Sequence, residues 1–291
     1  MGSKVRILIV DGRPSLGRQS AEMLERLERR WSRFLPDSDV SRLNAAHGRP
    51  VVVHRDTIRL FETARAGWEA TGGRFDPMVL PAVIAGGYSV SLDEGTPTPH
   101  HYRTLPSPGF DAVRIIPRRN IVRLDLSARF DPGAIGKGLA ADMVTQFLIE
   151  AGARGALVSI GGDIRVAGSP PVGSWWSIGI EDPAHHDTDL AVLAISEGGV
   201  ATSTSRHGRW QIDGKPVDHV CDPRTGTRTD TDVTSATVLA ADAWMAEVAA
   251  TAIVVSGVAA GLRALDDLKL DGLIVATDGN VHTTARLADC A

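Results

Sequence analysis

Four short segments of this chain gather the residue types that do chemistry. Asp131-Pro132-Gly133-Ala134-Ile135-Gly136-Lys137-Gly138 runs into a stretch patterned as a helix, so it places glycine-rich backbone, a cation and amide donors at one helix N-terminus. That place suits an anion, because the first N–H groups of a helix lack intrahelical partners and the peptide dipoles add there. The spacing is not G-x-x-x-x-G-K-[ST], and a glycine-rich helix start is by itself more often a packing turn than a phosphate cradle. In Ser159-Ile160-Gly161-Gly162-Asp163-Ile164 the glycines make a tight β turn, or let a ligand approach the backbone with Asp163 as an acceptor. His219-Val220-Cys221-Asp222-Pro223-Arg224-Thr225-Gly226 offers an imidazole able to take a proton near neutral pH. Asp222 and Arg224 either join such a site or pair with each other to shape the turn. Glu247 and Thr251, four apart, share one helix face and could present two hard oxygens to Mg²⁺, although such pairs are also ordinary solvated helix surface.

The elements that must position these groups follow from periodicity. Val5 to Val10 predicts a strand, and Leu16, Met23, Leu24, Leu27 and Trp31 predict a helix capped by Ser15, ended by the turn Pro36-Asp37-Ser38-Asp39. Ile58, Phe61, Ala64 and Trp68 predict a helix over about 57–70, stopped by Gly72-Gly73. Residues 86–109, rich in Gly, Pro and Ser and carrying His100 and His101, predict a long surface connection with one short helix. A hairpin is predicted over 113–116 and 121–124, then the clearest helix of the chain over 137–150, with Gly152 at its C-terminal cap. Strands are predicted over 156–160, 164–167, 175–180, 190–195 and 235–239, a helix after Asp242, itself a cap candidate, to about Ser256 before Gly257, and a last strand over 273–276. This order is not a regular βαβ series, so the expected class is α+β, with mixed, largely antiparallel sheets and packed helices. No repeat or linker divides the chain, and residues 1–291 are expected to form one domain.

Composition narrows the function classes. A hydrophobic fraction of 43% with 23% charged residues predicts a folded globular protein. A net charge of −4 gives no field for a polyanion, so nucleic acid is not expected as a partner. The two cysteines, Cys221 and Cys290, form no metal or redox motif and are expected to be reduced thiols. No run approaches the ~18 apolar residues of a membrane span, and the opening MGSKVRILIVDG does not read as a signal peptide, so a cytoplasmic location is expected.

Met1-Gly2-Ser3, WSRFLPDSDVSRLN from Trp31, TGGRFDP from Thr71, DPGAIGKGLAAD from Asp131, SIGGDI from Ser159, ATSTS from Ala201 and HVCDPRTG from His219 occur in the order characteristic of one family. The chain resembles the ApbE family of FAD:protein FMN transferases over nearly its whole length. The resemblance implies a Mg²⁺-dependent transferase that splits the pyrophosphate of FAD, joins FMN to a Ser or Thr hydroxyl of an acceptor protein, and releases AMP. It implies flavin-nucleotide contacts from Met1, Phe34, Arg74, Phe75, Asp76, Asp131 and Lys137. It further implies Mg²⁺ held by the main-chain oxygen of Ala134 with Glu247 and Thr251, and proton transfer by His219 with Asp222 as its orienting partner or substitute. Phe34 stands where the family often has Tyr, and Glu247 where it has Asp, one methylene shorter. Two further readings share this site: an FAD pyrophosphatase yielding FMN and AMP, and a non-catalytic FAD-binding protein.

Overall fold

The computed structural model describes residues 3–86, 105–185, 187–205, 210–212, 215–217 and 220–288. Met1, most of the predicted connection over 86–109 with His100 and His101, His219, and Cys290 lie outside the described residues.

The chain opens with strand β1 (Val5–Val10) and helix α1 (Ser15–Trp31), then α2 (Asp39–Asn44), the short β2 (Val51–Val52), α3 (Arg55–Ala70) and α4 (Leu80–Ala85). A hairpin of β3 (Val113–Ile116) and β4 (Ile121–Leu124) precedes α5 (Gly136–Glu150). Five strands follow: β5 (Gly155–Ile160), β6 (Asp163–Gly168), β7 (Trp176–Glu181), β8 (Asp189–Ile195) and β9 (Gly198–Thr204). After the short pairs β10 (Trp210–Ile212) with β11 (Lys215–Val217) and β12 (Cys221–Asp222) with β13 (Thr227–Arg228) comes the long β14 (Val233–Ala240). Helices α6 (Ala243–Ser256) and α7 (Val258–Leu268), strands β15 (Asp271–Ala276) and β16 (Val281–Thr283), and α8 (Ala285–Ala288) complete the described chain.

The central sheet has seven strands in the order β1-β5-β6-β9-β14-β15-β16. The α+β class with largely antiparallel sheets holds, and every pairing among the described strands is antiparallel. Neighbours such as β5 and β6 are joined by a two-residue turn, which only an antiparallel pair permits. Period-two alternation then sorts the sheet's side chains into two cores. Ala156, Val158 and Ile160 of β5 face Leu139 and Val144 of α5, whereas Val166, Val200, Leu273 and Val275 pack beneath Trp176, Ile178 and Ile180 of the β7–β8 hairpin. Helix α6, rich in Ala and Val, is buried over most of its circumference between α5, α7 and strands β9 and β14. A central helix without a polar face is what such wrapping requires.

Two predicted caps are corrected. Ser15 is the first helical residue of α1 and Pro14 holds the cap position, with no side-chain cap bond; the helix starts on a proline-fixed turn instead. Asp242 occupies the cap position of α6, but its side chain makes no cap bond. That role belongs to Asp142 of α5, whose two carboxylate oxygens accept the N–H groups of Ala243 and Trp244, each at 2.9 Å. Helices α2, α4, α7 and α8, strand β9 and the short strands β2, β10–β13 and β16 go beyond the predicted elements. Strand β9 begins Gly198-Gly199, and a Cβ at Gly199 would lie 2.3 Å from the Cα of Ala243, so the strand needs glycine where α6 crosses it.

Candidate active site

Lys137 stands in the first turn of α5, and its Nζ donates to the carboxylates of Asp163 and, at 2.7 Å, of Glu247 Oε1. Asp163 is brought there by the β5–β6 turn, where Gly161 and Gly162 both take positive φ (61° and 99°), the backbone of a two-residue hairpin loop. A Cβ at Gly161 would come within 3.3 Å of the Lys137 side chain, so of the two readings of this motif the tight β turn is the geometry found, with Lys137 packed against it. Glu247 projects from α6, and its Oε2 accepts the backbone N–H of Gly138 at 2.8 Å. Two buried carboxylates thus face one ammonium. Burial pushes the Glu247 carboxyl up to about 8, with the Lys137 charge opposing the rise and the Asp163 charge adding to it. Burial disfavours the Lys137 ammonium, but Asp163 and then Glu247 outweigh it and hold its proton above the ordinary lysine range.

These groups line the floor of a cavity of about 580 Å³, to which Phe34, Arg74, Phe75, Asp76, Asp131, Ala134 and Thr251 also contribute. Its volume falls inside the ~300–1,000 Å³ of small-molecule sites. Phe34 follows α1, and the guanidinium of Arg33 lies 4.2 Å from its ring centroid while approaching Asp131 at 3.5 Å. Asn44 fixes the segment before Asp131: its amide donates to the carbonyl of Phe130 at 2.9 Å and accepts that residue's N–H at 2.8 Å. Ser38 caps α2 by accepting the N–H of Ser41 at 3.0 Å and so holds the helix that delivers Asn44. Arg74 reaches Ser256 Oγ at 3.1 Å. Asp76 is buried and its carboxyl is raised, burial outweighing hydrogen bonds from the Met78 N–H, Ser107 and Trp68; it lines the cavity but its oxygens mainly fix the wall.

His219 lies outside the described residues; the next residues, Val220 and Cys221, line the cavity. Asp222 is committed elsewhere. It accepts Arg224 Nη2 at 2.7 Å, Arg224 Nε at 2.9 Å and the Arg224 N–H at 2.9 Å. Burial raises its carboxyl, but these bonds together with the Arg224 and Arg74 charges hold it below the usual carboxylate range. Of the two roles open to Asp222 and Arg224 in the sequence, the pair that shapes the turn is the geometry found.

The donor chemistry at the cavity floor fits a hard divalent ion. Asp163, Glu247 and the hydroxyl of Thr251 are oxygen donors on a common cavity with Ala134, the donor type a hard divalent ion takes.

Residues 1–274 match the ApbE family. The chain belongs to this family. It is 28% identical over 317 aligned positions to the "FAD:protein FMN transferase" of Treponema pallidum (strain Nichols), covering 99% of this chain and 86% of that protein. A protein of the same name from Klebsiella pneumoniae (strain 342) is 26% identical, over 91% of this chain and 83% of its own length. The crystal structure of the ApbE protein of Thermotoga maritima superposes with a TM-score of 0.87 at 25% identity, covering 99% of this chain and 95% of that one. The flavin transferase ApbE of Vibrio cholerae shares the fold at a TM-score of 0.82 and 24% identity, over 99% and 96% of the two chains.

Within this ApbE chain, Arg33, Asn44, Asp142 and the Gly138 N–H were not read as part of the site. Asp163 was seen only as a possible acceptor, and its lysine partner lies 26 residues away. Asp142 closes the motif DPGAIGKGLAAD, and its place one turn after Gly138 on α5 is the available signal.

Proposed function

We propose that this chain transfers FMN from FAD to a Ser or Thr hydroxyl of an acceptor protein, releasing AMP, with Mg²⁺ bound at Ala134, Glu247 and Thr251. The observation that carries this reading is that Lys137, Asp163, Glu247 and Thr251 line one cavity with the motif residues Phe34, Arg74 and Asp131. The ion, when bound, supplies charge neutralisation to the pyrophosphate. In this reading the Lys137 ammonium faces the linked phosphates and stabilises negative charge as it develops. Arg33, held by Asp131 and laid over Phe34, makes the wall that orients the nucleotide, and Arg74 adds a second cation. The acceptor oxygen attacks the FMN phosphorus, the bond from that phosphorus to the bridging oxygen breaks, and AMP leaves with that oxygen. His219 takes the hydroxyl proton. Asp222, locked to Arg224, positions the turn that follows His219 and takes no proton itself.

The same reading takes residues 1–291 as one domain, since a single apolar core draws on Leu16, Phe130 and Ala252 together. Among the described residues no helix is long and apolar enough to cross a membrane. The test is mass spectrometry of a Ser- or Thr-bearing acceptor domain incubated with the protein, FAD and Mg²⁺. A covalent FMN adduct with equimolar AMP is expected; free FMN with AMP and an unmodified acceptor means hydrolysis, and intact FAD means binding alone.

A further inference from the structure

The floor of the cavity gives Glu247 no idle oxygen. Oε2 is held by the Gly138 N–H at 2.8 Å, a backbone group fixed in α5, and Oε1 is held by Lys137 Nζ at 2.7 Å. Oε2 is tied to backbone fixed in α5, so Oε1 is the oxygen free to turn toward an ion, and a metal bound there would meet the Lys137 ammonium at close range. Lys137 has somewhere to go. Its Nζ already donates to Asp163, whose carboxylate is only 3% exposed and is held in place by the two-glycine turn. The lysine stem needs no new path, since its charged end lies between the two carboxylates and an ammonium carries three donors that can be redistributed by rotation.

We propose that Lys137 is an internal counter-cation that competes with the metal for Glu247 Oε1, and that Asp163 is the berth that holds Lys137 when the metal is bound. The inference rests on the metal reading given above and goes beyond it by assigning Asp163 a role and Lys137 a second one. It has a counter-intuitive consequence. Removing Lys137 strengthens metal binding to the nucleotide-free protein, even though the ammonium is the group that faces the phosphates in the reaction. Removing the carboxylate of Asp163 weakens metal binding, and does so by leaving Lys137 with Glu247 alone.

The experiment measures Mn²⁺ affinity by electron paramagnetic resonance, without nucleotide, for the wild type, K137M, D163N and K137M/D163N, each first shown to be folded by circular dichroism. The expected results are binding at least tenfold tighter in K137M, at least tenfold weaker in D163N, and no effect of D163N in the K137M background. If D163N weakens binding equally in both backgrounds, Asp163 acts by its own charge or as a ligand, and the berth is overturned. If K137M binds no tighter than wild type, the competition is overturned. Absence of Mn²⁺ binding in the wild type and in K137M alike removes the metal reading itself, a different failure from equal binding by all four proteins. Should K137M not fold, a Mn²⁺-soaked crystal of the wild type decides: Lys137 Nζ is expected within hydrogen-bonding distance of Asp163 and released from Glu247, and an unmoved Nζ beside bound Mn²⁺ overturns the proposal.

Discussion

Asp142 gives the most quantitative prediction. The residue is 8% exposed, accepts the first two N–H groups of α6, and stands 3.3 Å from the guanidinium of Arg165. Burial raises its carboxyl from 3.8 to about 6; the two N–H groups and Arg165 oppose this, and the nearby Asp242 charge adds to it. At about 1.36 kcal/mol per pKa unit, the interval from 3.8 to about 6 corresponds to about 3 kcal/mol. The folded chain binds the proton more tightly than the unfolded one. Asp142's contribution is therefore fully present below pH 3.8 and is lost as pH rises through about 6. Asp142→Asn retains the size and one acceptor oxygen but cannot ionise. Urea unfolding of both proteins from pH 4 to pH 7.5 isolates this group, since other titrations cancel in the difference. The wild type's advantage over D142N should fall by about 2 kcal/mol across that range, the rest having been lost below pH 4 where the unfolded carboxyl already ionises, with unchanged m-values. A difference independent of pH, or one that grows with pH, would refute the assignment of a buried, proton-retaining carboxyl at this helix start.

Four further variants test the contacts around the cavity and the role proposed for His219. A Cβ at Gly138 would lie 2.5 Å from the carbonyl oxygen of Ala243, so Gly138→Ala must push α5 and α6 apart and draw Glu247 from its N–H; a loss of about 1–3 kcal/mol in chemical denaturation is expected, together with weaker Mn²⁺ binding. Asp222→Asn keeps an acceptor for Arg224 and is expected to leave transfer within threefold of wild type, whereas His219→Ala should lower it ~10²–10⁴-fold in single-turnover assays with saturating FAD. Arg33→Met removes the partner of Asp131 and the cation over Phe34, and is expected to weaken FAD binding by about tenfold in a fluorescence titration while leaving Mn²⁺ affinity unchanged.

Where a side chain's role is set by its own element, the sequence was readable. The α5 helix carried a strong apolar face and a glycine just past its end, and it appears where predicted, with Gly152 at φ 92° closing it. The same holds for the β3–β4 hairpin and for Glu247 and Thr251 on one face of α6. Roles set by a distant partner were not readable. The missing cap of α6 comes from residue 142, and the aspartate that shares Lys137 comes from a turn 26 residues away. The glycines that open β9 carry no local strand signal, because their cause is the backbone of α6 pressing on the sheet, a constraint that no local window contains. Helix α7 was missed for a related reason. Gly257, at φ 86°, reads locally as a helix stop, but it is a corner between two helices, where the Val258 N–H is accepted by Asp232.

In the proposed function, the linked phosphates of FAD meet a metal ion between the start of α5 and the Glu247 face of α6. A crystal structure of the protein with FAD and Mn²⁺, the ion located by its anomalous signal, tests this. The anomalous peak is expected beside Glu247 and Thr251, with the pyrophosphate within hydrogen-bonding distance of Lys137 Nζ. A pyrophosphate bound away from Lys137, or an ion seated at other residues while FAD fills the cavity, would contradict it.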